Sequence, residues 1–445
     1  MPSPIGTMSS SLSDNPLQSC LSSRKSLWAS APQSRGTSNI LTICLSTIFI
    51  CVWQAWHPNI PKRRPEHRVV LHDLLEGAIQ FIVFLLCPES LFVIAFEDFR
   101  QAYILCNNVN RLGCFSSAPV SRHSRICRKR LSRDVPERSL SIPPRLHRWT
   151  LTHSFYAVMG GYAIAADNAG AAELFTSYQA LSGSEVQRIL QHSPSRVPEL
   201  SEESIFARSQ RDALSKAVAL LQIFSFCMTC ILRRAEGLSL SVLEVSTIGY
   251  AVCAILAYLP WWKKPRISTE PTLIKSNVEV TEDINRDGAS GSGALNIGGV
   301  VELVPNAILE KYRGEDFVWA VGFISPSVYG LLHLLAWNDS FPTCIEHILW
   351  RISTVVVTAS GMAIFLTVFV GAALEEWFRY MLDVDNVNWT AAMIRTLLHI
   401  LVYSIVLLYI LARLYMIIET FRQLLYLPPD AYQVASWSYY LPHIS

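Results

Sequence analysis

His333, Trp337, Asn338, Asp339, Glu346, His347, Trp350 and Arg351 make the densest polar constellation in this chain. A histidine close to a carboxylate can shuttle protons near neutral pH. Acid–base groups in an apolar pocket are what chemistry on a lipid or isoprenoid needs, so His333 and Glu346 are the candidate catalytic pair. His333 and Trp337 are four residues apart and share a helical face. Glu89 and His399 also lie inside apolar runs, where ionisable groups are costly and usually functional. With His333 and Trp337 they are the candidate binding residues. In a transporter, Glu89, His333 and His399 would line a hydrated path. The structural alternative is interhelical hydrogen bonding with an interfacial aromatic belt.

The remaining motifs carry less. Asp283-x-Asn285-x-Asp287-Gly288 matches the first half of a calcium loop, but Ala294 stands where the bidentate Glu belongs. Glycines 288, 291, 293, 298 and 299 read as a flexible linker, since no Gly-Lys-Ser/Thr follows. Asp383-x-Asp385 is a spacing that arises by chance. Cys227 and Cys230 form a CxxC without a second pair, inside an apolar run, and read as small packing residues. No cofactor or metal site is expected. Asn338-Asp-Ser340 and Asn388-Trp-Thr390 are glycosylation sequons in consecutive inter-span loops, so at most one faces a lumen.

The elements that must position these residues are apolar stretches of bilayer length. They run at about 39–56, 77–96, 149–166, 217–232, 240–262, 317–337, 352–374 and 396–418. Runs of about 20 residues match the roughly 30 Å apolar slab of a membrane. The expected fold is all-α: a polytopic transmembrane helical bundle of about eight spans, or seven if the 149–166 segment is re-entrant. Pro88 predicts a kink within the second span. Gly160-Gly161 predicts close helix contact in the third.

Polar segments separate the spans. Residues 1–38 are Ser/Pro-rich and read as a disordered tail. Residues 107–148 form a basic, disordered loop between spans 1–2 (39–106) and spans 3–5 (149–265). The stretch 167–213 is polar, 266–315 is a polar flexible loop, 316–418 carries spans 6–8, and 419–445 is a C-terminal tail. The chain is 51% hydrophobic and only 16% charged, against about 25% charged in soluble domains. Net charge is +2, so no global basic field recruits nucleic acid. The nine Lys/Arg between Arg122 and Arg148 read as a cytoplasmic loop and a candidate contact for anionic lipid. Aromatics that stack bases are nearly absent there. The lipid bilayer is the expected partner, and plasma membrane and endomembrane fit equally. The basic loop favours cytoplasmic termini, while Lys62-Arg63-Arg64 argues the opposite.

Several segments in order carry a family resemblance: Arg35-Gly36-Thr37; Cys51-x-Trp53 leading to His57-Pro58-Asn59-Ile60-Pro61; Trp149 through Tyr156 and on to Gly160-Gly161; Trp261-Trp262-Lys263-Lys264-Pro265; His333 through Asn338 with Phe341-Pro342-Thr343; Leu349-Trp350-Arg351; and Pro442-His443. The chain resembles a group of uncharacterised multi-pass membrane proteins of filamentous fungi over roughly residues 35–445. Residues 107–146 depart from it, as a variable insertion or a mispredicted exon. The resemblance implies membrane residence and assigns no activity. The functional expectation is a non-enzymatic integral membrane protein, whether transporter, receptor-like or scaffold, with an unidentified small-molecule ligand. The alternative is an intramembrane enzyme acting on a lipid or isoprenoid through His333 and Glu346.

Overall fold

A computed structural model describes residues 35–60, 69–112, 148–165, 178–209, 212–266, 271–274, 316–381 and 387–434. The Ser/Pro tail to residue 34, the basic stretch 122–147, the calcium-like and glycine-rich segments, the Asp383/Asp385 pair and the tail beyond 434 lie outside the described residues. The chain is largely helical. Helix α1 (Thr37–Ala55) is uncharged and stops before Pro58. Helices α2 (Val69–Leu86) and α3 (Glu89–Arg111) meet at 115°, a sharper break at Pro88 than the expected kink. Pro88 has no N–H to donate and its ring crowds the preceding turn, so the helix restarts rather than bends. Glu89 thus stands at the break and not within a continuous helix. It is the first residue of α3, where the helix dipole favours negative charge.

The expected third span is also corrected. Helix α4 (Leu151–Val158) has only eight residues. Gly160, at φ +87°, ends it. The Gly161 N–H returns to the Tyr156 carbonyl at 2.8 Å and the Gly160 N–H to that of Ala157 at 3.2 Å, a left-handed cap that glycine adopts without strain. These glycines thus turn the chain and do not pack helices. Strand β1 (Tyr162–Ala165) follows. It pairs antiparallel with β2 (Tyr178–Ala180) and parallel with β3 (Thr272–Ile274), giving the order β2-β1-β3. Helices α5 (Gly183–His192) and α6 (Glu202–Ala207) lie within the polar stretch 167–213. Tyr156, Tyr162, Leu181, Val186 and Ile205 form a buried core with Leu105 and Val109 of α3. A small α/β element thus stands among described residues that are otherwise helical.

Helix α7 (Asp212–Ala235) ends at Gly237, φ +74°, in the same kind of cap, with the Leu238 N–H on the Arg233 carbonyl at 2.9 Å. Helix α8 (Val242–Trp261) and helix α9 (Asp316–His333) follow, each with an internal proline. Helices α10 (Cys344–Met381) and α11 (Val387–Gln423) have 38 and 37 residues, about 55 Å each. Among the described residues, five helices are long and apolar enough to cross a membrane: α1, Leu214–Ala235 of α7, α8, Cys344–Gly371 of α10, and the Ala392–Tyr426 stretch. The bent α2–α3 pair makes a sixth at most, and Val321–Ala336 of α9 is shorter. The expected count of about eight is not reached among the described residues. Hydropathy alone scores the buried core of the α/β element and a broken helix as spans.

The residues fall into two units by internal packing. The first comprises Met1–Phe49, Gln222–Val252 and Phe323–Ser445; the second, Ile50–Leu221 and Cys253–Gly322. In the first, α9 and α10 approach closely at glycines. Gly330 lies against Thr358, and Gly361 against the Phe323 carbonyl. The Ser327 hydroxyl donates to the Thr358 carbonyl at 2.6 Å. Small residues allow such close backbone contact between helices.

Candidate functional site

His333 is the last residue of α9 and is 1% exposed. Its Nδ1 lies 3.0 Å from the Tyr329 carbonyl, one turn back. A carbonyl can only accept, so Nδ1 carries the proton there and Nε2 is an acceptor. Nε2 is met by the Ser246 hydroxyl at 3.2 Å, and Ser246 lies 3.4 Å from the Thr420 hydroxyl. The imidazole packs between the Tyr329 ring, 4.5 Å away, and the Trp350 ring, 5.8 Å away. The Arg413 guanidinium lies over the Tyr329 ring at 4.0 Å.

Glu346 has a different set of partners. It accepts the Thr343 N–H at 3.0 Å while its own N–H reaches the Thr343 hydroxyl at 3.3 Å. That reciprocal pair is a capping box at the start of α10. Glu346 is also ion-paired with Arg422, and its carbonyl accepts the Tyr415 hydroxyl at 3.0 Å. No hydrogen bond joins His333 to Glu346 among the described residues. Each has a structural partner set of its own.

The rest of the constellation forms a helix-end network. The Trp337 carbonyl accepts from His347 Nε2 at 2.9 Å and Arg351 Nε at 3.1 Å. Arg351 also donates to Asn338 Oδ1 at 3.2 Å and stacks over the Trp337 ring at 5.1 Å. Asp339 sits beside this network, and burial pushes its carboxyl up to about 6, against the pull of Arg234 and with Asp430 adding to the rise. His399 is half-buried on α11, with its ring 6.4 Å from that of Tyr403. Glu89 belongs to the other unit and is 4% exposed. Asn338 is exposed just before α10, and Asn388 lies in the first turn of α11, so α10 separates the two sequons.

In the second unit the structure shows a cluster that sequence reasoning missed. Lys264 is 1% exposed. Its Nζ donates to Asp98 Oδ2 at 2.7 Å, to Asn59 Oδ1 at 2.8 Å and to the His57 carbonyl at 2.9 Å. Trp261 Nε1 donates to the same Asp98 oxygen at 2.9 Å. Lys264 is therefore not an interfacial cation closing α8, as its position after two tryptophans suggests. It is a buried tie between the His-Pro-Asn-Ile-Pro and Trp-Trp-Lys-Lys-Pro segments. The Ile60 N–H on the Met159 carbonyl, at 2.7 Å, joins the Trp149–Gly161 segment to the same assembly. The available signal was Asp98, a carboxylate inside a largely apolar run. Burial, then the charges of Lys216, Lys264 and Arg266, hold His57 well below the usual histidine range.

A third set of polar residues ties chain ends together in the first unit. Arg35 is ion-paired with Glu244. Arg233 of α7 donates to the Gln433 carbonyl at 2.6 Å and the Ala431 carbonyl at 2.9 Å. Among the described residues no cluster of His, Cys, Asp and Glu has the arrangement to hold a metal ion.

Residues 8–289 and 314–444 match the sequence profile of a family of unknown function, DUF8562, a range that runs through 107–146 and extends upstream of residue 35. No curated protein and no solved structure matches the chain.

Proposed function

We propose that this chain, which belongs to the family of unknown function DUF8562, is a multi-pass integral membrane protein that works by binding rather than by catalysis. The observation that carries the reading is the distribution of side chains on α10 and α11. Ile348, Ile352, Val355, Leu366 and Phe369 of α10, and Leu397, Leu401, Leu408 and Leu411 of α11, are exposed. Polar groups such as His333, Thr354 and Arg413 are buried. Soluble proteins rarely expose apolar patches of this extent, whereas a bilayer covers them. The resemblance to fungal multi-pass membrane proteins supports the same reading.

The enzyme alternative needs His333 and Glu346 to act on one substrate. Both ring nitrogens of His333 are occupied, and Glu346 is bound in a helix cap and an ion pair. That arrangement favours binding or scaffolding. Alkaline carbonate extraction of membranes carrying the full tagged chain tests the membrane reading. Retention with the lipid pellet, and release only by detergent, is the expected result. Release by carbonate overturns it. If the chain carries a glycan, one of Asn338→Gln and Asn388→Gln alone removes it, because α10 crosses between them. A glycan at both would break the α10 crossing.

A further inference from the structure

Ile60 and Asn110 are held by the same small element of the second unit, although α2 and α3 lie between them. The Ile60 N–H donates to the Met159 carbonyl at 2.7 Å, and Asn110 Nδ2 donates to the Trp149 carbonyl at 3.2 Å. Leu105 and Val109 of α3 enter that element's core. The chain thus leaves the α/β element ahead of α2 and returns to it through α3. The turning point stays close. Phe84 of α2 packs edge-on against Trp56, just past the end of α1, at 6.2 Å, and Phe81 against Trp53 at 6.4 Å. Asp98 of α3 meets Trp261 and Lys264 at the end of α8. Pro88 lies four residues beyond Phe84, about 6 Å of helix, whereas the 19 residues of α1 span about 28 Å. The break therefore cannot reach the far face of a bilayer that α1 crosses.

The pair is nonetheless built for apolar surroundings. Leu75 and Ile82 of α2 and Tyr103 and Ile104 of α3 are exposed. At the break the Cys87 carbonyl accepts the Ser90 hydroxyl at 2.6 Å and the Ser90 N–H at 3.0 Å. Backbone groups at a helix break enter a bilayer only when met in this way. We infer that α2 and α3 form a re-entrant hairpin that dips into the cytoplasmic leaflet and returns without crossing. The side follows from charge. In the sequence, Lys62-Arg63-Arg64 precedes the hairpin and the arginine-rich stretch 122–148 follows it. A crossing pair sets these clusters on opposite sides, where the positive-inside rule contradicts itself. A hairpin puts both on one side, together with Lys263 and Arg266 after α8. Arg266 is bonded to Gln54 at the end of α1, at 3.2 Å. The segment before α1, with Arg24, Lys25 and Arg35, carries fewer cations and faces the lumen or the cell exterior. The inference rests on the membrane reading above.

The test uses the full tagged chain with Asn338→Gln and Asn388→Gln, expressed so that it enters microsomal membranes. A glycan-acceptor segment is inserted before Arg35, after Arg64 or after Ser116, one at a time. A one-glycan, endoglycosidase-sensitive shift is expected for the first position alone. A glycan after only one of Arg64 and Ser116 means that the pair crosses, and a glycan after both places the hairpin on the lumenal leaflet. Either overturns the inference, as does a chain retained by carbonate with no glycan at any position. Two readouts need no insertion. Trypsin added to sealed vesicles should cut the unmodified chain within 122–148, and cleavage there only after detergent overturns the side. A carbene photoprobe dissolved in the bilayer should label Ile82 as it labels Leu397 of α11, and absence of label at Ile82 alone overturns the seat in the leaflet. Release of the chain by carbonate instead refutes the membrane reading, before any question of side or seat.

Discussion

Lys264 Nζ and Asp98 Oδ2 lie 2.7 Å apart, the lysine 1% and the aspartate 10% exposed at the side chain. The pair joins the end of α8 to the middle of α3. Asp98 also accepts the Trp261 indole N–H. Removing one member leaves the other charged, buried and uncompensated, which costs about 3–5 kcal/mol. Lys264→Met should therefore abolish a monodisperse peak in detergent size-exclusion chromatography. Lys264→Met with Asp98→Asn should recover much of it, since Asn still offers Trp261 an acceptor. Equal loss in single and double variants would refute the pairing as the cause.

Gly361 and Gly322 make a matched test of helix packing. A Cβ at Gly361 would fall on the Phe323 carbonyl, whereas at Gly322 the nearest atom is Val93 Cγ1, 3.9 Å away. Gly361→Ala should destabilise by about 1–3 kcal/mol or more through overpacking. Gly322→Ala should be neutral or mildly stabilising, as a helical Gly→Ala change. Thermal midpoints of the two variants in one detergent check the contrast.

Half-buried Asp339 and buried His57, both outside the long apolar helices, give opposite pH dependences. Asp339 titrates at about 6 in the folded chain, above the ordinary 3.8. The folded state then holds the proton more tightly, so its contribution to stability falls as pH rises from about 4 to above 6. Asp339→Asn should stabilise at pH 7 by on the order of 1–2 kcal/mol and change little below pH 4. A wild-type minus variant difference that is flat with pH would refute this.

His57 runs the other way. Its folded value lies well below 6.5, from burial first and Lys216 next. The unfolded chain takes up the proton first, so stability is lost as pH falls below about 6.5. His57→Asn keeps a donor for the Ala55 carbonyl, now met by Nδ1 at 2.9 Å. Its thermal midpoint should be less sensitive than wild type between pH 6.5 and 5.

Glu346 separates the structural from the catalytic reading. Glu346→Gln keeps the capping box and loses the ion pair with Arg422, which is 50% exposed. Exposed partners contribute little, so Gln should be near wild type in midpoint, while Glu346→Ala should cost about 1 kcal/mol as a lost cap.

Hydropathy and prolines were enough to mark α1, α7, α8, α10 and α11, because bilayer-length apolar runs and the missing proline N–H are local properties of the chain. Local signals also placed the break at Pro88, though as a kink. Whether an apolar run faces lipid or a protein core is not local. Residues 149–166 are apolar because Tyr156 and Tyr162 pack in the core of a small sheet, whose β3 strand comes from more than 100 residues away, and no spacing in 149–166 announces that pairing. The partners of ionisable residues are set in the same way. Lys264 looks like an interfacial cation until α3 brings Asp98 to it. His333 and Glu346 look like an acid–base pair in the sequence, and only the fold shows that their partners include Ser246 for the one and Thr343 and Arg422 for the other. The residue types were legible throughout. Tertiary contact decided their partners, because a buried charge or donor takes its role from the groups that meet it across helices.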